Sequence, residues 1–117
     1  MMGKRWIIAA MLAAVPIAAV QAHHGWSAYD AEKVLTVKAP LSAVTWGNPH
    51  GTAKVEWQNR TWDVVLAPVA RMEARGLTRD MLAPKKPVTL IGYPRRDGTP
   101  EMRIERVVTD GKTVELR

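Results

Sequence analysis

The 117-residue chain contains no cysteine and no phenylalanine. Without a thiol it forms no disulfide, carries no lipidated cysteine and offers no thiolate to a metal or a redox couple. The domain has to hold by packing alone. Histidine is scarce too, with three residues, His23, His24 and His50. There is no glycine-rich phosphate loop, and Ser27 and Ser42 lack the glycine-flanked setting of a nucleophile elbow. With no catalytic constellation in view, the sequence reads as a binding protein rather than an enzyme.

Long apolar runs are equally rare. The one that stands out, Trp6–Ala19, follows Lys4 and Arg5 and precedes Val20-Gln21-Ala22. Its length of about 14 residues falls short of the ~20 that span a bilayer, and Pro16 would kink a helix there. A basic start, an apolar centre and small residues before the break predict a signal peptide over 1–22, cleaved after Ala22. The expected product begins at His23, is periplasmic or secreted, and has no membrane attachment after cleavage. Loss of Lys4 and Arg5 lowers the net charge from +6 to about +4. The remaining charges alternate in sign along strand-like segments, the pattern of a solvated surface, so nucleic acid is not an expected partner.

The rest of the chain suffices for one domain. Residues 23–33 read as an N-terminal arm, with Trp26 and Tyr29 to pin it to the domain at 34–117. Val34–Thr45 alternates with a period near two, Leu35, Val37, Ala39, Leu41 and Ala43 sharing a face, and Pro40 marks an edge, bulge or bend. Thr52–Gln58 and Thr61–Leu66 form a hairpin about Asn59. Pro68–Arg75 changes to a helical period and ends at Gly76, and Thr78 opens a second short turn, Arg79–Leu82. Pro87–Tyr93, Glu101–Thr109 and Thr113–Leu116 are further strands, the last two joined by Asp110-Gly111. This order predicts a mainly β fold, an OB-like barrel of five to six strands with one short helix between strands 3 and 4. A two-layer meander with a helix on one face is the rival.

Several of these segments together resemble a family of small exported bacterial proteins of unknown function. The matching residues are His23-His24, Tyr29-Asp30, Trp46-Gly47-Asn48-Pro49-His50, Arg75–Asp80, Leu82-Ala83-Pro84, Val88–Tyr93 and Arg96-Asp97-Gly98. The chain departs from the family pattern at Pro84-Lys85-Lys86 and at Ala39-Pro40-Leu41. The resemblance implies domain boundaries and a fold, and no activity.

Two candidate sites follow from the residues. In the first, His23 at a processed terminus offers an α-amine and an imidazole as a chelate, and His50 supplies a nitrogen from across the site. His24 substitutes for either or adds a ligand. Nitrogen-rich tetragonal sites suit Cu(II) best, so copper is the candidate cofactor. The plainer alternative is a surface arm whose histidines bind nothing. In the second, Trp46 and Asn48 of the Trp46–Gly51 loop join Arg95 and Arg96 of the Pro94–Pro100 loop in a cationic, aromatic mouth for a periplasmic anionic glycan or peptide. There the plainer alternatives are a Trp46 that covers the barrel end and an arginine pair solvated beside Asp97.

Overall fold

The structure, a computed structural model, describes residues 25–117. The expected signal peptide (1–22), His23 and His24 lie outside the described residues. A short 3-10 turn, Gly25–Ala28, opens the described chain. Seven strands follow: β1 (Leu35–Pro40), β2 (Ser42–Thr45), β3 (Thr52–Trp57), β4 (Arg60–Val65), β5 (Pro87–Pro94), β6 (Glu101–Thr109) and β7 (Lys112–Glu115). Helix α1 (Val69–Ala74) and a 3-10 turn (Arg79–Leu82) fill the connection from β4 to β5.

The strands lie in the order β1-β5-β6-β4-β3-β2, with β7 added beside β6. β1 and β2 are separated in sequence by Leu41 alone and lie at opposite ends of that path, so one bent strand joins both ends of the sheet. Counted as one, they give the order 1-2-3-5-4-1, in which β4 runs parallel to β6 and the other neighbours are antiparallel. That is the expected OB-like arrangement, with α1 between the third and fourth barrel strands. The bend falls one residue after Pro40, which has no N–H to give to the ladder. Beyond it the expected alternation fails. Ala43 adopts a positive φ of 49° within a register shift and is exposed, and Val44 packs against the core in its place. One residue taken up by the bulge moves the next side chain to the other face.

Both expected hairpins turn on pairs of positive-φ residues: Gln58-Asn59 (51° and 63°) and Asp110-Gly111 (52° and 73°). Two left-handed residues in succession match the twist of the flanking strands. Helix α1 ends at Gly76, whose φ is 91°. Leu77 N–H donates to Met72 O (2.8 Å) and Gly76 N–H to Glu73 O (3.1 Å), which satisfies two terminal carbonyls. Leu77 and Met72 are both solvent-free and carry the apolar contact that accompanies this ending. Pro68, expected in the first helical turn, stands just before it, at the N-cap.

Val37, Val55, Val64, Leu90, Met102, Ile104 and Val107 fill the interior from the strands. Met72, Leu77 and Leu82 close one end from the helical connection, with Leu66 and Leu116 beside them. Full burial of each such side chain is worth roughly 1.5–3 kcal/mol against exposure. Pairs on the outside matter less. Lys54 and Asp63, partners across β3 and β4, meet at 2.6 Å but are half exposed, so their contribution is at most about 1 kcal/mol.

Candidate binding site

The arm lies along the outside of β5 and β6, held by backbone first. Asp30 N–H donates to Pro94 O (2.8 Å), and Arg96 N–H donates to Ala28 O (2.9 Å). Between these bonds Tyr29 is 5% exposed, and its hydroxyl donates to Glu101 Oε2 at 2.5 Å. Burial, then the hydrogen bond and the charge of Glu101, push the phenol up to about 12. Trp26 is the second anchor. The Arg103 and Arg117 guanidinium carbons lie 4.5 and 4.7 Å from its ring centre, and Tyr93 meets it edge-on at 6.1 Å. An indole beside two guanidiniums gains cation–π attraction in addition to its buried area.

Arg95 and Arg96 are committed to this arm and its turn. Arg95 reaches Asp97 at 3.3 Å and Glu101 at 3.4 Å and lies over the Tyr29 ring. Arg96 Nε donates to Ser27 O at 3.1 Å, and its guanidinium approaches Asp30 at 4.0 Å. Asp97 caps the turn by accepting from Thr99 N–H (3.0 Å), which with Arg95 holds its carboxyl down at about 2. Trp46 engages a different element, its Nε1 donating to Glu73 Oε2 on α1 at 3.1 Å. Asn48 is exposed, in a turn whose Asn48–Pro49 peptide is cis. The four residues of the expected mouth therefore divide between helix, solvent and arm.

His50 is half-buried at the end of that turn. Its neighbour Gly51 is built into the barrel: Gly51 N–H donates to Ala67 O, and Leu66 N–H donates to Gly51 O, both at 2.9 Å. Desolvation first, then the positive charges of Arg103 and Arg71, lower its pKa below 6.5. The shift of His50 favours the neutral imidazole. Among the described residues no group of three His, Asp or Glu side chains is arranged to hold a metal ion.

Arg103 connects the two regions. It stands on the outer face of β6, since Met102 and Ile104 on either side point into the core. Val65 of β4 and Tyr93 of β5 are its cross-strand partners. Its Nε is buried with no hydrogen-bond partner, and no carboxylate pairs with it among the described residues. The acids two residues away on the same face are taken. Glu101 accepts from Tyr29 and Arg95, and Glu105 from Tyr93 (3.1 Å) and Arg117 (3.4 Å). Desolvation, helped by Arg71 and Arg117, lowers the pKa of Arg103 against an opposing pull from Tyr29. Its placement outside was readable from the alternation of β6. That it is left unpaired was not, because its would-be partners are claimed by residues distant in sequence.

No curated protein matches this chain. A family model described as a family of unknown function (DUF6152) matches residues 10–103. The chain belongs to that family.

Proposed function

We propose that this is an exported, non-enzymatic binding protein, periplasmic or secreted, that takes one Cu(II) through the processed His23 and His50. One observation carries the reading. Trp26 rests on Arg103, Arg103 is paired across the sheet with Val65, and Val65 with Thr52, two residues after His50. The root of the arm and the segment that leads out of His50 therefore meet along one row of the sheet. His23 precedes Trp26 by three residues, a length of chain that spans at most roughly 11 Å. His24, two residues before Trp26, serves as a substitute or additional ligand. The lowered pKa of His50 supports the reading, since it favours the neutral form that binds metal. Arg71 and Arg103 oppose any cation there, so the amine–imidazole chelate of His23 has to supply most of the affinity. The anionic glycan or peptide reading through Trp46, Asn48, Arg95 and Arg96 has less support, since Trp46 and both arginines spend donors within the protein.

The test begins with the intact mass of the secreted product, which should correspond to a chain starting at His23. Copper titration followed by electron paramagnetic resonance then compares mature protein, mature His50→Ala, and protein with one residue added before His23. The reading expects weaker binding and an altered spectrum in both variants. Equal affinity and equal spectra in all three would put the metal on a free terminus and end the proposal.

A further inference from the structure

Trp26, Tyr29 and Tyr93 line a surface cavity of about 250 Å³ between the docked arm and the sheet, with Arg96 and Arg117 in its wall. Arg96 gives its Nε to Ser27 O at 3.1 Å and approaches Asp30 at 4.0 Å, while Arg117 lies 4.7 Å from the Trp26 ring centre and approaches Glu105 at 3.4 Å. Each side chain is more than half exposed and has donors to spare. On the Trp26 ring itself rests Arg103, whose positive charge no carboxylate balances among the described residues. Arg71 adds to the imbalance nearby. Its Nη1 donates to Leu116 O at 3.0 Å, and Leu116 N–H donates to Glu105 O at 2.7 Å, two residues along β6 from Arg103. A half-buried cation without a counter-ion is a standing electrostatic cost, and an anion placed beside it removes that cost.

We propose that this cavity is a binding site for a small molecule bearing an oxyanion, a carboxylate or a phosphate group. Arg117 and Arg96 donate to the oxyanion, Trp26 and Tyr93 pack against the ligand's body, and Arg103 supplies the uncompensated positive charge. Guanidinium forks suit both planar carboxylates and tetrahedral phosphates, and aromatic walls add contact area at little cost in side-chain freedom. The site needs no metal, and its test is independent of copper.

The experiment uses metal-free mature protein at constant ionic strength, titrated with inorganic phosphate in one arm and acetate in another. Sodium chloride serves as the reference anion. The readouts are the Trp26 indole N–H and arginine Nε–H resonances. Saturable shifts with phosphate or acetate, absent with chloride, are expected, and the tighter of the two names the head group. A unit charge acting through a partly screened medium is worth on the order of a tenfold change in affinity. Arg103→Gln should therefore weaken binding about tenfold. Arg103→Lys, which keeps the charge, should restore most of it; a purely structural role for the side chain would not show this rescue. Arg117→Gln should weaken binding at least as much, and Lys54→Gln on the far strands should have no effect. Near-UV circular dichroism checks that the arm stays docked in each variant. Shifts that fail to saturate, or that respond equally to chloride, overturn the proposal. So does unchanged binding in both Arg103→Gln and Arg117→Gln.

Discussion

Replacing Gly92 with alanine tests how closely β5 and β6 approach at the strand that carries Arg103. A Cβ at Gly92 would lie 2.2 Å from Arg103 O, 2.9 Å from Arg103 C and 3.0 Å from Ile104 Cα. All three obstacles are backbone, so no rotamer change relieves them. An ordinary carbon–oxygen contact is roughly 1 Å longer than the first of these distances, and the register already shifts between Ile91 and Gly92. Overpacking of a tight interior costs about 1–3 kcal/mol, occasionally more, and a clash with backbone belongs at the upper end. Relief of glycine's conformational entropy in a strand returns roughly 0.5–1 kcal/mol. The expected net loss is about 2 kcal/mol, which for a domain of this size lowers Tm by roughly 10 °C. Gly51→Ala is the internal comparison. There the nearest atom, at 2.9 Å, is the terminal methyl of Met72, a side chain that can move. Its cost should stay below about 1 kcal/mol. Thermal and urea unfolding of both variants check this ranking. A Gly92→Ala protein within 2 or 3 °C of wild type, roughly the effect of half a kcal/mol, would refute the steric argument.

Two further outcomes concern the arm. Tyr29→Phe removes the donor to Glu101 and should cost about 1–2 kcal/mol in urea unfolding at neutral pH. The unfolded phenol ionises near 10 whereas the folded one keeps its proton to about 12. The unfolded state therefore sheds its proton first, and stability falls as pH rises from 10 towards 12. Subtracting the Tyr29→Phe titration from that of wild type isolates this slope from the lysines, and equal slopes would contradict it. Trp26→Ala removes the surface on which Arg103 and Arg117 rest, so hydrogen exchange at Asp30 and Arg96, whose amides bond Pro94 and Ala28, should quicken about tenfold while Leu90 and Ile104 stay protected.

Much of the fold is local in origin and was legible in the chain. Alternation placed Val55, Trp62, Val64, Met102 and Ile104 inside; Asn59 and Asp110-Gly111 marked turns because they tolerate positive φ; and Gly76 ended a helix for the same reason. The order of the elements then sufficed for an OB-like barrel. Other features depend on contacts between segments far apart in sequence. The bulge at Ala43 arises where one strand bends to serve both ends of the sheet, and no local signal separates Ala43 from Ala39. Arg95 and Arg96 read as members of a polar, solvated turn, yet the arm some 65 residues earlier engages them through Ser27, Asp30 and the ring of Tyr29. Arg103 carried no signal of its own among the charges that alternate along the strands. Only the folded protein shows it under Trp26 and without a carboxylate, because pairing of charges is settled by which side chains the barrel brings together and not by their order in the chain.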